Sequence, residues 1–165
     1  MVAEANREAR MLTRLAIVVC FVAGIFPIGL SHAAPKHVVL ITPDEAQRPL
    51  PPDTDLTFRA GISRGPAIEL VSPKPSEKSV QSPVHLQLKF AGRGGAQIDV
   101  DSLKFTYIRN PAINLTDRVK EFATPAGIDV PEAEIPAGMH IIRADVKDKD
   151  GRAGFLIFRL NVVNH

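Results

Sequence analysis

The chain has 165 residues, with 20 Lys and Arg against 18 Asp and Glu, a formal net charge of +2 and a single cysteine. This length suits one ordinary domain, and one cysteine cannot form an intrachain disulfide framework. Nucleic-acid binding needs a clustered positive field, and the sequence contains no basic run, so it does not favour that class.

The first predicted element is an export signal over residues 1–33. Its central tract, LAIVVCFVAGIFPIGL, is uncharged and mostly apolar, follows several arginines and is followed by SHAA. A membrane-spanning helix needs about 20 apolar residues. This tract is shorter and contains Pro27, so the pattern favours a cleaved signal over an uncleaved anchor. The small residues Ser31 and Ala33 predict cleavage after Ala33.

Two details of the signal affect the exported chain. Met11 begins a compact signal of its own, so the start of translation stays open between Met1 and Met11. Cys20 lies inside the apolar tract, and Val19 before it is not the small residue that a lipoprotein signal has. We therefore expect the mature chain to have no thiol and no lipid anchor.

Residues 34–65 are predicted to form an extended, largely unpacked, Pro-rich linker. TPDEAQRPLPPDTD contains four prolines among charged residues, and such a segment does not readily continue a helix or pair in a sheet. HVVLI, residues 37–41, has the composition of a short edge strand. Whether it packs on the domain stays open at this point.

From Pro66 onward, short runs of alternating apolar and polar residues are separated by Pro, Gly, Asp and Ser. A period of two is typical of β-strands. In VHLQLKF the apolar side chains fall on one face, which predicts a half-buried strand. The other predictions are strands in AIELV, LKFTYI and GIDVPEAEI, and a strand followed by a helical turn in INLTDRVKEF.

The C-terminal stretch beginning at PAGMHIIRADVKDKDGRAG predicts a long antiparallel hairpin. Apolar residues alternate with charged ones on both sides of Asp150-Gly151, a pair of residue types that suits a hairpin turn. Asp148 and Lys149 are expected to keep the tip in solvent.

These elements predict an all-β fold, a two-sheet antiparallel sandwich over residues 66–165. SPKPSEKSVQSPVHLQLKF resembles the first turn and second strand of bacterial immunoglobulin-like domains, IDVDSLKFTY their third-strand entry, and IPAGMHIIRADVKDKDGRAG their last hairpin. The resemblance covers residues 66–163 and implies an immunoglobulin-like fold. It also implies that His140 takes a corner position where such domains hold a Tyr or His bonded to nearby backbone. The pattern is also similar to that of uncharacterised exported bacterial proteins, which implies no activity.

One group of side chains near the hairpin has the chemistry to bind metal or transfer protons: His140, Asp145, Asp148 and Asp150. Strand alternation sends His140 and Asp145 to opposite faces, so we interpret these charges as structural, with calcium at the hairpin tip as the alternative. Small periplasmic copper-resistance proteins resemble the two ends of this domain. In those proteins the histidine ligands are the first residue of the mature chain and the residue directly after Asp-Gly. Here Arg152 follows Asp-Gly and cannot bind metal at neutral pH, and after cleavage at Ala33 the first histidine, His37, is the fourth residue.

No catalytic residue is predicted. The sequence has no G-x-S-x-G, H-E-x-x-H, P-loop or S-x-x-K motif. Ser63 is interpreted as a loop residue, and Asp99 and Asp101 as part of a turn with Ser102 that precedes a strand. Sugar binding usually needs exposed aromatic residues, and the chain has no Trp.

The sequence therefore predicts a non-enzymatic exported domain, periplasmic or secreted, without a cofactor or a membrane span after cleavage. Its expected role is protein interaction or envelope structure, with another envelope or secreted protein as partner; the oligomeric state stays open. Phe155, Ile157 and Arg159 lie on the face opposite the buried side of the last strand, and are either covered by a loop or form the contact surface. The open edge of that strand offers a second contact. The alternative is a periplasmic protein that binds a small ligand or a metal, copper or calcium.

Overall fold

The structure is a computed structural model that describes residues 36–52, 59–60 and 64–163. These residues belong to one unit, Ala34–His165. The predicted export signal, the alternative start at Met11 and the loop residue Ser63 lie outside the described residues. Within the described ranges, no helix is long and apolar enough to cross a membrane.

Strands dominate the described part of the chain. In chain order they are β1 (His37–Val39), β2 (Arg59–Ala60), β3 (Ala67–Ser72), β4 (Val80–Gln81), β5 (Val84–Ala91), β6 (Ile98–Tyr107), β7 (Ile113–Asn114), β8 (Ala123–Thr124), β9 (Gly127–Glu134), β10 (Gly138–Asp148) and β11 (Ala153–Val163). Two short helices, α1 (Pro43–Ala46) and α2 (Thr116–Val119), and two 3₁₀ turns, Arg93–Gly95 and Lys120–Phe122, complete the elements.

The strands form two sheets. The first has the order β1-β9-β5-β3, with β8 also paired to β9, and the second has the order β2-β11-β10-β6-β7, with β4 also paired to β11. All pairings are antiparallel except β1 with β9 and β4 with β11, which are parallel. The two-sheet, all-β prediction is confirmed, as are the predicted strands and the helical turn after β7.

The core lies between the sheets and comes directly from the alternation seen in the sequence. In β5, every second residue from Val84 to Phe90 is buried while His85 and Lys89 are exposed. The largest fully buried side chains include those of Phe105, Tyr107 and Phe158, and the Phe105 and Phe158 ring centroids are 6.3 Å apart. Aromatic rings at this separation contribute packing beyond the area they bury.

Strand β6 begins earlier than predicted. The sequence placed Asp99 and Asp101 in a turn before the strand, but both lie inside β6, where the register against β10 shifts between Asp145 and Lys147. Ser102 bridges this irregularity: its Oγ donates to the Asp99 carbonyl at 2.6 Å and accepts from the Lys147 N–H at 2.8 Å. The predicted contact of Ser102 with nearby backbone exists, but as part of this register shift inside the sheet.

The prediction of an unpacked linker is wrong for residues 37–46. β1 pairs in parallel with β9, and Leu40 and Ile41 are 0% and 1% exposed in the same core as the sheets. The domain therefore does not begin at residue 66. Burial of the apolar side chains of HVVLI offsets the conformational entropy that this segment loses on ordering.

A capped helical turn follows the docked strand and explains why prolines did not prevent order. Thr42 Oγ1 accepts from the Glu45 N–H, and Glu45 accepts from the Thr42 N–H at 2.9 Å, which forms a capping box. Pro43 occupies the first turn of α1, where a missing N–H costs nothing because that N–H has no partner within the helix.

Candidate functional site

The predicted contact residues lie on the outer side of the second sheet, in rows that run across β6, β10 and β11. Lys104, Asp145 and Phe155 form one row in register, and the next row contains Arg143 and Ile157. Ile141 and Arg159 form a third. We call this surface the basic face, defined by Lys104, Thr106, Ile141, Arg143, Asp145, Phe155, Ile157 and Arg159.

Arg143 organises the centre of the basic face. Its Nε donates to both carboxylate oxygens of Asp145 at 3.0 and 2.8 Å, and its Nη2 donates to Oδ1 at 2.7 Å. The hydrogen bond with Asp145 raises the pKa of Arg143. The guanidinium carbon lies 4.6 Å from the centroid of the Phe155 ring, a cation–π distance. Arg143 thus contacts both Asp145 and the Phe155 ring.

The three predicted contact residues differ in exposure. Phe155 and Ile157 are half-buried, whereas Arg159 is exposed. Ile141, also on this face, is only 1% exposed. The side chains of Lys104 and Arg159 form no hydrogen bond or ion pair with any residue in the described ranges, although both residues pair in the sheet through their backbones. The face therefore presents two cations without counter-ions beside a partly covered apolar pair.

The edge of β11 is not open along its length, contrary to the prediction. β2 pairs with it at Leu156 and Ile157, and β4 pairs with it at Val162 and Val163. These strands use the backbone groups that a partner strand would need there. Between them, the Asn161 side chain donates to the Lys78 carbonyl at 3.3 Å. The side chains of the face, rather than this edge, remain for contact.

His140 lies in a buried corner with Tyr107 and Pro136, where its ring is bonded to nearby backbone as expected. Its Nε2 is 2.8 Å from the Pro136 carbonyl oxygen, which can only accept, so Nε2 carries the proton and Nδ1 accepts from the Tyr107 hydroxyl at 2.9 Å. The residue is 1% exposed, and burial lowers the pKa of His140. Both ring nitrogens are therefore occupied in the neutral ring.

Arg109 closes this corner and was not identified from the sequence. It is 7% exposed, its guanidinium carbon lies 4.6 Å from the Tyr107 ring centroid, and its Nη2 donates to the Met139 carbonyl at 3.1 Å. Burial is the main cause that raises the pKa of Tyr107, while the charge of Arg109 opposes that rise. Arg109 has the same inward parity as Phe105 and Tyr107, a signal in the sequence that its charge concealed.

The predicted position of Asp148 at the solvent-exposed hairpin tip is wrong. It was expected in solvent but is 1% exposed, with its carboxylate accepting from the Arg152 N–H at 2.9 Å and from Arg152 Nε at 2.8 Å. Burial by itself would raise the pKa of Asp148, but the hydrogen bonds and the charge of Arg152 outweigh burial and lower it. Asp148 has the same inward parity as Val146, a signal already present in the sequence.

The candidate metal-binding group is not assembled. His140 contacts Tyr107 and Pro136, Asp145 contacts Arg143, and Asp148 and Asp150 both contact Arg152. The described residues contain no group of three or more His, Cys, Asp and Glu side chains arranged to hold a metal ion.

The outer side of the first sheet has the opposite charge. His85 Nε2 lies 2.7 Å from Asp129 Oδ1, and the Gln87 side chain donates to Oδ2 at 3.3 Å. On the neighbouring pair of strands, His37 lies 3.3 Å from Glu134. We call this surface the acidic face, defined by His37, Val39, Glu69, Val71, His85, Gln87, Lys89, Asp129, Glu132 and Glu134. Sequence alternation predicted that His85, Gln87 and Lys89 point outward, but not the acids beside them.

The acidic face includes a groove of about 350 Å³, whose lining contains Val71, Lys89, Phe122, Thr124 and Asp129. Its mixture of apolar and polar side chains suits noncovalent binding. The His85–Asp129 pair is exposed, with side chains 51% and 58% accessible, so neither group is desolvated as a reactive pair would be. Comparison with protein-family models, with curated proteins and with solved structures gave no match.

Proposed function

We propose that this protein is an exported, non-enzymatic immunoglobulin-like domain that binds another envelope or secreted protein through its basic face. The observation that carries the proposal is the Phe155 ring braced by Arg143 beside Ile157, with Lys104 and Arg159 unpaired within the described part of the chain. Aromatic residues and arginine are enriched in protein interfaces and at their energetic centres. The expected partner surface combines apolar side chains with carboxylates.

Strand order supports the immunoglobulin-like part of the proposal. Immunoglobulin constant-type domains have the strand orders A-B-E-D and C-F-G in their two sheets. Here β3-β5-β9 corresponds to A-B-E, and β6-β10-β11 corresponds to C-F-G. β1 takes the place of strand D beside β9, but in parallel orientation. The N-terminal segment thus completes the first sheet.

Export is supported by the apolar tract within residues 1–33, and places the domain in the periplasm or outside the cell. Metal or small-ligand binding has less support, because His140, Asp145, Asp148 and Asp150 already hold partners within the fold. A binding role also agrees with the position of the two apolar residues on an outer sheet face instead of in a cleft.

The proposed function is tested by affinity capture from the cell envelope with the exported chain as bait. The double variant Phe155→Ser/Ile157→Ser is expected to lose the partner that the wild type recovers, because it removes the apolar centre and leaves the charges. The matched control is Val39→Ser/Val71→Ser, which removes two exposed apolar side chains from the other sheet and is expected to keep that partner. Circular dichroism and thermal melts check that both variants fold. Equal recovery by folded wild type and Phe155→Ser/Ile157→Ser would contradict the proposal.

A further inference from the structure

The two outer faces of the sandwich have opposite charge. With histidines counted as neutral, the acidic face contains four carboxylates and one cation, Lys89, which gives a net charge of −3. The basic face contains three cations and one carboxylate, Asp145, which gives +2. The charge of the whole chain, +2, conceals this separation.

Apolar side chains accompany the charges on both faces. Val39 and Val71 are 44% and 39% exposed on the acidic face. Phe155 and Ile157 are half-buried on the basic face. Contacts between proteins combine such apolar areas with complementary charge, which selects the partner and orients it.

We propose that the basic face binds the acidic face of a second copy of this chain. This inference rests on the proposed function, because it names a partner for the same surface. The argument is charge complementarity between two faces of one molecule, each of which is the outer surface of a β-sheet. Carboxylates on the acidic face then neutralise Lys104 and Arg159, which have no counter-ion among the described residues.

The two faces lie on opposite sides of the sandwich, so the contact joins unlike surfaces. A contact of that kind leaves one acidic and one basic face free at the ends of any oligomer that does not close into a ring. Assembly therefore continues with protein concentration instead of stopping at a symmetric dimer. Such growth agrees with a structural role in a cell envelope.

The size of the faces predicts a weak contact. The longest strands of the acidic face, β5 and β9, have 8 residues each. The other two strands, β3 and β1, have 6 and 3 residues. With strands about 4.8 Å apart and about 3.3 Å per residue, the face presents roughly 400 Å². A standard specific interface buries about 800 Å² per partner. We therefore expect association only at high protein concentration and low ionic strength, where charges are least screened.

Sedimentation velocity of the exported chain, residues 34–165, over a range of concentration and salt provides the test. Wild type is expected to show a weight-average mass that rises with concentration at low salt and returns to that of the monomer at high salt. The variant Lys104→Glu/Arg159→Glu reverses the basic face, and Glu69→Lys/Glu132→Lys reverses the acidic face. Each alone is expected to associate at least roughly tenfold more weakly than wild type.

Mixing the two variants in equal amounts is the decisive measurement. The intact acidic face of one variant can then meet the intact basic face of the other, so association is expected to return. Arg93→Glu/Lys120→Glu, a charge reversal outside both faces, is the matched control and is expected to assemble as wild type does. A monomeric wild type at every concentration, or a mixture as monomeric as its components, would overturn the inference.

The outcomes also separate this inference from the proposed function. If wild type is monomeric but Phe155→Ser/Ile157→Ser still loses its envelope partner, the second-copy contact fails and the proposed function stands. If copies associate but capture of the envelope partner does not depend on Phe155 and Ile157, the second-copy contact stands and the proposed binding of another envelope protein through the basic face is wrong.

Discussion

His140 shows how the surroundings of one residue decide its chemistry. The sequence offered an imidazole near three carboxylates, but the fold separates His140 from them and places it against Tyr107 and Pro136. A buried neutral imidazole with two hydrogen bonds is a structural group, because protonation would remove the acceptor that the Tyr107 hydroxyl uses. The sequence therefore anticipated that His140 bonds to nearby backbone, but not that it contacts Tyr107.

The lowered pKa of His140 predicts that acid weakens the fold. Its folded pKa lies below its ordinary value, 6.5, so the unfolded chain binds the proton first as pH falls. The free energy of unfolding is expected to be constant above about pH 6.5 and to decrease as pH falls from there toward the folded pKa. Urea denaturation between pH 7.5 and 5.5 measures this change.

His140→Gln and His85→Gln separate this effect from other titrations. His140→Gln is expected to cost about 1–3 kcal/mol at pH 7.5, because it disturbs a buried hydrogen-bonded group, and to reduce the pH dependence. His85→Gln is the matched control, because it makes the same substitution at an exposed histidine, and the loss of slope is expected to be larger in His140→Gln. An unchanged slope in His140→Gln would count against this account.

At the scale of elements, the N-terminal segment is held by a clamp between α1 and α2. Arg118 donates to both Glu45 carboxylate oxygens at 2.8 and 2.7 Å and to the Leu40 carbonyl at 2.8 Å. Lys36 adds a more exposed ion pair with Glu121 at 2.8 Å. The first pair is bidentate and mostly buried, which makes it the stronger of the two.

This clamp predicts a second loss of stability, in stronger acid. The hydrogen bond from Arg118 lowers the pKa of Glu45 from 4.5 to about 2. Because the folded pKa is the lower one, the stabilisation is present above about pH 4.5 and is lost as pH falls toward 2. Its size is about 2–3 kcal/mol after allowance for partial solvent screening. Acid titration followed by circular dichroism measures it.

The variant Glu45→Gln is expected to be less stable at pH 7 by a similar amount and to lose its stability change between pH 4.5 and 2. Asp44→Asn, which changes the exposed neighbouring residue, is the control and is expected to retain the wild-type acid transition. If Glu45→Gln matches wild type at both pH values, the clamp does not hold the segment.

At the scale of the whole molecule, the N-terminal segment, both sheets and the hairpin form one folded unit. Close backbone contact joins the two sheets where β3 and β11 begin: a Cβ built on Gly154 would lie 1.9 Å from the Pro66 carbonyl oxygen. Only glycine allows that approach. The unit begins at Ala34, and Leu40 and Ile41 contribute to its core.

The proposed export makes a prediction for the whole protein. If residues 1–33 are a cleaved signal, the protein isolated from the periplasm or the medium is expected to begin at Ala34. That cleavage retains Lys36 and all of β1, so the mature chain keeps every described contact of the N-terminal segment. N-terminal sequencing measures the outcome, and a protein recovered only with residues 1–33 attached would contradict cleavage.

The sequence by itself determined the existence of the longer strands, the hairpin and which side of those strands is buried. These features depend on alternation and on Asp150-Gly151, which act between residues adjacent in the chain. Alternation also placed Asp148 on the buried side of β10, but we expected its charge to keep it in solvent. The charged residue is buried because Arg152, four positions away, satisfies it.

Only the tertiary structure decided where HVVLI docks, which edges of β11 are covered and how charge divides between the two outer faces. These features join residues far apart in the chain, such as Glu45 with Arg118, 73 positions apart, and Tyr107 with His140, 33 apart. Local pattern contains no information about such partners. The sequence therefore predicts a linker for this proline-rich segment, because its order depends on pairing with β9, which lies far away in the chain.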